Sequence, residues 1–424
     1  MTPKPGAAAL DTAALRREFP ALSRPGEKSL VYLDNACTVL KSRAVMQSTL
    51  RFYETLGACG GKRSTHLLAQ EVETLAIAAR RKAAAFLGAD SPNEIVFTSG
   101  TTEAANLVAR AFPYEPGRRQ VVITDLEHNA VFLPFYEAAK RGEIELTIVK
   151  SKGGRLSPAD FEAIVSEKTA LVAVTHASNV TGGVQPVAEI SRLSHAKGAR
   201  IFVDDAQFVS SRRENVAATQ ADFSAFSAHK IGGPFGLGVL FGKEQELNRL
   251  RHYKVGGGTV KSVSWDGKGM PEVKYLDAPM RFEAGVANFG ALAGLSAAID
   301  LLGGLDQAQV RAHVASLVRR TVNGLLKIPH LRIVGDPAQL ESGSLVSFYS
   351  TSSDFDLTDL NIYLNQELRG HFVALRSGEH CAHLLHQSLG IPATMRVSFF
   401  AYNTETEVDA FLEGLESYVK EAVA

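Results

Sequence analysis

The sequence predicts an α/β fold with a large domain, built on a mostly parallel, doubly wound sheet, and a smaller α/β domain at the C-terminus. From about residue 94 to 250, short apolar strands alternate with helices, which is the pattern of successive β-α-β units. From about residue 330, shorter strands alternate with helices outside that pattern. The 424 residues also exceed one ordinary hydrophobic core. We therefore expect two domains.

The composition excludes several kinds of partner. Lys and Arg total 45, as do Asp and Glu, so the net charge is zero and neither nucleic acid nor an anionic membrane surface is expected as a partner. No apolar run reaches membrane-spanning length, and residues 1–11 lack the apolar segment of a secretory signal. The three cysteines, Cys37, Cys59 and Cys381, are too widely spaced for a disulfide framework or a zinc pattern. A cytoplasmic protein without a metal site is the expectation.

The elements are predicted in chain order from apolar runs bounded by turn residues. Residues 1–30 form an N-terminal segment, with a short helix, that packs on the small domain. The large domain covers residues 31–300 and the small domain residues 301–424. Strands of the large domain are predicted at 94–98, 119–124, 145–150, 170–176, 200–203, 223–227 and 237–241. Strands of the small domain are predicted at 331–335, 344–350, 372–376 and 395–400.

A turn after the first of these strands has the features of an anion site. Ser99-Gly100-Thr101-Thr102-Glu103 links the strand to a helix, so free amide N–H groups and the helix dipole face one point. Glu103 in the first helical turn also fits a simple helix cap, and such turns are common. The turn alone therefore leaves both interpretations open.

An acid and a lysine end two successive strands. Asp204 ends one strand, and Lys230 follows the next, in Ser227-Ala228-His229-Lys230 before a Gly-Gly-Pro loop. Burial lowers the pKa of a lysine, and a neutral amine can form a Schiff base with an aldehyde. A lone lysine bordering a strand is more often a solvated side chain. The acid favours pyridoxal phosphate (PLP), since the lysine would hold its aldehyde and the acid would keep its pyridine nitrogen protonated.

A second informative stretch lies near the C-terminus, at Arg376-Ser377-Gly378-Glu379-His380-Cys381-Ala382. A free cysteine is usually a small buried residue, but this polar loop start would expose the Cys381 thiol. Arg396 follows in a strand, and its planar guanidinium suits bidentate binding of an amino-acid carboxylate. An ion pair within the small domain is the structural alternative for Arg396.

At these motifs the chain resembles PLP enzymes of the class V aminotransferase family, in the branch of the cysteine desulfurases and selenocysteine lyases. The resemblance rests on Asp204-Asp205-Ala206-Gln207, on Ser227 to Lys230, and on the Cys381 loop followed by Arg396 and Tyr402-Asn403-Thr404-Glu405. It extends from about residue 30 to the C-terminus. It implies the PLP-dependent fold type I, which is aspartate aminotransferase-like, and a homodimer.

The resemblance also implies roles for individual residues. Lys230 would carry PLP and remove the Cα proton, His128 would stack on the ring and transfer a proton, and Cys381 would be the nucleophile. The implied cofactor-binding residues are Thr101, Thr102, His128, Asn179, Asp204, Gln207, Ser227, His229 and Lys230. The implied substrate-binding residues are Arg396, Arg376, Asn179 and Asn35.

The activity that the resemblance implies is that of a cysteine desulfurase. Sulfur would leave L-cysteine to give L-alanine and a persulfide on Cys381, for transfer to an acceptor that could be a protein. Selenocysteine lyase stays open as an alternative, as does a class V aminotransferase or C–S lyase without persulfide chemistry. A non-catalytic scaffold on this fold would lack Lys230, Asp204 or the phosphate turn, and all three are present.

The chain departs from the family pattern at several positions. Asn129-Ala130-Val131 differs from the commonest continuation after Glu-His, and Val286 replaces a threonine that reaches the PLP phosphate of the partner subunit. Glu379 occupies a position often held by histidine, and the proline usual soon after the cysteine is absent from Ala382-His383-Leu384. Cys37 stands where a small residue is usual, and we expect it to pack as one.

Overall fold

The structure is a computed structural model that describes residues 10–61, 64–352 and 355–422, so residues 1–9 of the predicted N-terminal segment lie outside the described residues. The strands are β1 (Ser29–Tyr32), β2 (Ile95–Thr98), β3 (Gln120–Thr124), β4 (Glu145–Val149), β5 (Thr169–Thr175), β6 (Arg200–Asp204), β7 (Phe223–Ser227), β8 (Gly238–Gly242), β9 (Val260–Ser264), β10 (Glu272–Tyr275), β11 (Leu331–Ile333), β12 (Leu345–Ser350), β13 (His371–Ala374), β14 (Arg376–Gly378) and β15 (Thr394–Ser398). The helices are α1 (Thr12–Arg17), α2 (Arg43–Thr55), α3 (Leu67–Leu87), α4 (Thr101–Ala111), α5 (Asn129–Lys140), α6 (Pro158–Glu162), α7 (Val187–Ala196), α8 (Val216–Thr219), α9 (Glu244–Arg249), α10 (Phe289–Gly303), α11 (Gln307–Leu325), α12 (Pro337–Leu340), α13 (Leu357–Gln366), α14 (His383–Leu389) and α15 (Glu405–Ala422).

The central sheet has seven strands in the order β2-β8-β7-β6-β5-β3-β4. The five strands from β7 to β4 in this order run parallel to their neighbours, and β8 is antiparallel to both β7 and β2. All seven residues of β5 are buried, as expected for a strand covered by helices on both faces. The predicted mostly parallel, doubly wound sheet is therefore confirmed.

Alternating side chains of the central strands pack into two separate hydrophobic cores, one on each face of the sheet. On one face Val121 packs in a cluster with Phe135 of α5, and on the other face its neighbour Val122 packs with Ile190 of α7. Within the described ranges no single helix is long and apolar enough to span a membrane. The pair α10 and α11 passes that test only when the two are taken together across an 85° bend.

The C-terminal part forms a four-stranded antiparallel sheet in the order β11-β12-β15-β14. Phe348 of β12 lies beside Met395 of β15 and packs on Phe411 of α15, with ring centroids 6.2 Å apart. The strand β1 pairs in parallel with β13, so the segment before the large sheet joins the C-terminal part. This confirms the smaller α/β unit, whereas the domain boundaries stay predictions.

One connection brings this smaller sheet to the edge of the large one. The segment after β1 forms a bridge between Asp34 and Ser398 at the end of β15, and Ser398 donates its N–H to the Leu33 carbonyl at 2.8 Å. The residues just before Ser398, including Arg396, therefore lie next to the segment 33–37.

Candidate active site

The predicted site residues of the large sheet lie where its parallel strands end. Asp204 and Ser227 are the last residues of β6 and β7, while His128 and Asn179 follow the ends of β3 and β5 in loops. Carboxyl ends of adjacent parallel strands meet at one edge of the sheet, which is where open α/β sheets bind ligands. The fold thus brings these four side chains to one edge.

The start of α4 forms a narrow cradle against β7 and β8. Thr101 donates its N–H to Ser227 Oγ at 2.9 Å, and the N-cap residue, Gly100, has no side chain to cap the helix start. A Cβ on Gly238 would lie 2.5 Å from Gly100 Cα, so only glycine fits this approach. Glu103 accepts from the Ser99 N–H at 2.6 Å, outside the helix start. The structure therefore favours the anion site over the simple cap.

Lys230 lies in the turn after β7 and is turned inward. Its ammonium donates to the Ala36 carbonyl, which also accepts from Gln207 Nε2 at 2.8 Å. Burial, followed by the positive charge of Arg396, lowers the pKa of Lys230 to about 8. A useful fraction of this amine is therefore neutral near neutral pH.

Two polar atoms around Lys230 are buried without a hydrogen-bond partner. They are the amide oxygen of Gln207 and Nδ1 of His229. Burial and the charge of Lys230 lower the pKa of His229 to about 4, so its ring is neutral. Because buried polar atoms are normally paired, these atoms indicate a polar ligand.

Asp204 is buried, with 4% of its surface exposed. Burial raises its pKa to about 6, opposed by the Ala206 N–H, which donates to Asp204 Oδ1 at 2.9 Å, and by Lys230. At neutral pH the carboxylate is ionised and can hold a proton on a basic ring nitrogen.

His128 precedes α5 and caps it, because its Nδ1 accepts from the Ala130 N–H at 3.0 Å. Burial and the charge of Lys230 lower the pKa of His128 to about 4. A neutral ring whose Nδ1 is an acceptor carries its proton on Nε2. His128 can therefore donate a hydrogen bond through Nε2.

Arg396 and Arg376 share a single carboxylate. Asp34 Oδ1 lies 3.3 Å from Arg396 Nη2, and Asp34 Oδ2 lies 3.2 Å from Arg376 Nη2. Arg396 is 3% exposed and its Nε is buried without a partner. One positive charge is therefore left over, as a site for an anionic carboxylate requires.

The two predicted asparagines differ in where they point. Asn35 is 1% exposed, and its amide donates to the Ser398 carbonyl at 2.8 Å while accepting from the Tyr402 hydroxyl. The structure does not bring the Asn35 side chain to the site. Asn179 Nδ2 donates to the His380 carbonyl at 2.7 Å. The backbone carbonyl of Asn179 accepts from Arg396 Nη1 at 3.0 Å. Asn179 therefore links Arg396 to the loop that carries Cys381.

Cys37 has a contact that the sequence did not predict. Arg376 Nη2 lies 2.8 Å from Cys37 Sγ, so the thiol contacts a predicted substrate residue. The next residue back, Ala36, accepts from Lys230. The packing role of Cys37 stays a prediction, to which the structure adds this contact with Arg376.

Cys381 lies in residues 379–382, the thiol loop, between β14 and α14. It is a free, exposed cysteine, as predicted. His380 and Cys381 have φ angles of 50° and 56°, a left-handed conformation that costs about 1–3 kcal/mol per non-glycine residue. Asn129 donates its N–H to the Cys381 carbonyl at 2.7 Å, and Asn179 bonds to His380 as above. These bonds hold the strained loop over the sheet edge.

With this geometry in place, comparison with known proteins assigns the family. The model of the family described as aminotransferase class-V matches residues 31–411. The chain belongs to the aminotransferase class-V family.

Relatives in this family match over nearly the whole chain. A protein of Streptomyces coelicolor named a probable cysteine desulfurase is 37% identical, over 98% of each chain. Two solved cysteine desulfurase structures superpose closely. The protein from Escherichia coli has a TM-score of 0.87 at 32% identity, covering 98% of this chain and 100% of the other, and that from Thermococcus onnurineus has 0.89 at 31%, covering 98% and 99%.

In this class-V chain a buried ionisable cluster lies beside the site. His176 Nδ1 is 2.6 Å from Asp205 and 2.9 Å from Glu214, and Ser224 donates to Asp205. Burial lowers the pKa of His176, but Asp205 and Glu214 together raise it to about 9. His176 is therefore hydrogen-bonded to Asp205 and forms a close ion pair with Glu214. The sequence analysis included Asp205 in the Asp-Asp-Ala-Gln motif but missed its partners His176 and Glu214.

Asp34 is the functional residue that sequence reasoning missed most plainly. It lies in the same Tyr-Leu-Asp-Asn run that suggested Asn35, and side chains alternate along an extended segment. Choosing Asp34 needed the position of Arg396, which is 362 residues away. The roles assigned to the individual site residues stay predictions.

Proposed function

We propose that the chain is a PLP-dependent cysteine desulfurase that transfers the sulfur of L-cysteine to Cys381 and releases L-alanine. The observation that carries the proposal is the placement of an exposed thiol at the cofactor edge. The thiol loop is bonded to Asn129, next to His128, and to Asn179, which is bonded to Arg396. The relatives named cysteine desulfurases support the same activity.

The side chains at the sheet edge fit PLP. The cradle at Gly100 and Thr101 suits its phosphate, and the buried carboxylate of Asp204 suits its pyridine nitrogen. The unpartnered buried atoms of Gln207 and His229 suit polar groups of a ligand. Lys230 has the lowered pKa needed for attachment to the aldehyde.

When bound, PLP supplies an electron sink for a carbanion at the substrate Cα. Lys230 removes the Cα proton, because its pKa of about 8 leaves part of the amine free to accept it. Arg396 and Arg376 orient the substrate carboxylate, and their shared Asp34 holds the two guanidinium groups in place. His128 offers the Nε2 proton to a neighbouring oxygen or nitrogen.

Cys381 then takes the sulfur. Its Sγ attacks the substrate sulfur, so an S–S bond forms while the substrate Cβ–S bond breaks. The Cβ atom keeps the electron pair and gains a proton, which gives alanine, and Cys381 is left as a persulfide. The step needs no external oxidant, and the exposed loop can present the persulfide to a sulfur acceptor, for which we propose a protein.

The purified protein tests this function directly. Loaded with PLP, it should form alanine from L-cysteine, and Cys381→Ala should keep the visible absorption of the bound cofactor while losing sulfur transfer. Selenocysteine and a keto acid with an amino donor serve as parallel substrates. Alanine from selenocysteine alone, or amino transfer to the keto acid in place of alanine formation, would contradict the proposal.

We further propose a homodimer, on the basis of large apolar side chains that are exposed on two helices and one hairpin. These side chains are Met46, Leu50 and Tyr53 on α2, Leu67, Leu68 and Ile77 on α3, and Val263, Trp265 and Met270 on or near the β9–β10 hairpin. Large exposed apolar side chains are enriched at protein interfaces. Light scattering during gel filtration should give twice the 45.5 kDa chain mass, and a monomer would contradict the proposal.

A further inference from the structure

Three positions at which the chain departs from its family meet in one line of contacts beside Cys381. Asn129 Nδ2 lies 2.9 Å from Nδ1 of His383, and Nε2 of His383 lies 3.1 Å from Glu379 Oε2. Asn129 and His383 are 254 residues apart in sequence. Separate departures from a pattern that end in mutual contact indicate one structural unit, which we call the loop bracket.

The direction of the two hydrogen bonds in the bracket follows from the Asn129 amide nitrogen, which can only donate. An amide Nδ2 only donates, so Nδ1 of His383 accepts and the ring proton lies on Nε2, facing the carboxylate of Glu379. A neutral imidazole therefore satisfies both neighbours at once. The bracket needs no charge on His383 to form.

The residues of the bracket flank the nucleophile in sequence. Glu379 precedes Cys381 by two residues and His383 follows it by two, while Asn129 reaches across from α5. Asn129 holds the thiol loop twice, since its backbone N–H donates to the Cys381 carbonyl at 2.7 Å and its side chain bonds to His383. Cys381 is thereby fixed relative to His128, the residue just before Asn129.

The backbone next to Cys381 has no proline to restrain it. Proline would limit the backbone by fixing φ. This chain has Ala382-His383-Leu384 instead, and its thiol loop keeps two consecutive left-handed residues. Hydrogen bonds from Asn129 and His383 supply the restraint that the backbone alone does not.

We propose that Asn129, His383 and Glu379 are positioning residues that hold Cys381 in the geometry for sulfur transfer. The inference rests on the proposed function, because it gives Cys381 a reaction to be positioned for. The side chains of His383 and Glu379 are 51% and 39% exposed, and such exposed pairs add little to fold stability. The expected effect is therefore on the loop and on turnover.

The first test replaces His383 by Ala in the PLP-loaded protein. Hydrogen exchange at the Asn129 amide, which bonds to Cys381, should become about tenfold faster. The kcat for alanine formation should fall about tenfold or more, since small displacements of a reacting group are costly. The KM for L-cysteine, the cofactor absorption and the Tm should hardly change. Gln387→Ala, an exposed position one turn later on α14, is the matched control and should behave as the parent protein.

The second test separates a hydrogen bond from a charge. Glu379→Gln keeps an oxygen that accepts from His383 Nε2, whereas Glu379→Ala removes it. We expect the glutamine variant to retain most of kcat and of the Asn129 protection, and the alanine variant to match His383→Ala. Equal losses in the two variants would overturn the inference.

The outcomes also distinguish a failure of the bracket proposal from a failure of the proposed desulfurase function. Unchanged Asn129 exchange and kcat in His383→Ala would overturn the bracket while leaving the desulfurase proposal intact. Full alanine formation from L-cysteine by Cys381→Ala would instead overturn the proposed function, whatever the exchange rates are.

Discussion

The sheet side of the site, with Lys230, Asp204 and Gln207, lies in the protein interior, whereas the thiol loop is exposed and strained. On the sheet side, burial lowers the pKa of Lys230 and raises that of Asp204, and the buried amide oxygen of Gln207 has no hydrogen-bond partner. On the thiol loop, hydrogen bonds from Asn129 and Asn179 hold a left-handed backbone. The difference matches two tasks. Carbanion chemistry needs the exclusion of water, whereas sulfur delivery needs a thiol that an acceptor can reach.

The largest expected effect comes from removing the sheet-side amine. Lys230→Ala should lower the rate of alanine formation about a thousandfold or more, because it removes both the attachment point and the base. It should also abolish the visible absorption of the bound cofactor. The matched control is Lys41→Ala, since burial likewise lowers the pKa of Lys41 to about 8. Loss of the absorption band in both variants would break the distinction drawn for Lys230.

The next effect concerns the arginines at the boundary between the two regions. Arg396→Lys should raise the KM for L-cysteine about ten- to a hundredfold, because lysine cannot bind a carboxylate through two donors. Arg376→Lys should have a smaller effect, since Arg376 is half exposed. Steady-state kinetics measures both, and a larger KM effect at Arg376 would reverse the ranking.

The buried cluster on the sheet side predicts how stability varies with pH. His176 has a pKa raised to about 9 by Asp205 and Glu214, and burial together with the charge of Glu214 raises that of Asp205. Both groups hold protons more tightly in the folded state, so the stability they contribute is lost as pH rises, through about 6.5–9 for His176. The Tm should fall by about 3 °C or more between pH 7 and 9.5, measured by calorimetry.

The variant His176→Gln should flatten this dependence, because its amide does not titrate. A parent protein whose Tm rises over that range would contradict the assigned protonation of the cluster.

The smallest effect concerns the proposed partner subunit. Val286 is 76% exposed and stands where the family pattern has a threonine. Val286→Thr should lower the Kd for PLP up to about fivefold, the value of one added hydrogen bond. Equilibrium dialysis measures the Kd, and Val286→Ala controls for loss of the valine. No change in a dimeric Val286→Thr would mean that the phosphate is out of reach.

The sheet and its ligand edge were predictable because they follow from local patterns. Apolar runs separated by helices predict parallel strands, and Asp204 and Ser227 could be placed at strand ends from sequence alone. Lys230 was found for the same reason. Each of these assignments depends on a few neighbouring residues.

The contacts around the thiol loop and the two arginines could not be predicted, because they join residues that are far apart in sequence. Asp34 reaches Arg376 and Arg396, and Asn129 reaches His383, across hundreds of residues. Asn35 looked suitable but is bonded to Tyr402 in the interior. Only the assembled fold decides which of two adjacent polar residues faces the site.

One measurement tests the central claim most directly, that the sulfur passes to Cys381. The PLP-loaded protein is mixed with less than one equivalent of L-cysteine without reductant. The masses of its proteolytic peptides are measured by mass spectrometry, and the alanine formed is quantified. We predict one sulfur atom gained on the Cys381 peptide for each alanine formed, and none on the peptides of Cys37 or Cys59. Alanine formed without added sulfur on Cys381, or with the sulfur on Cys37, would contradict the account.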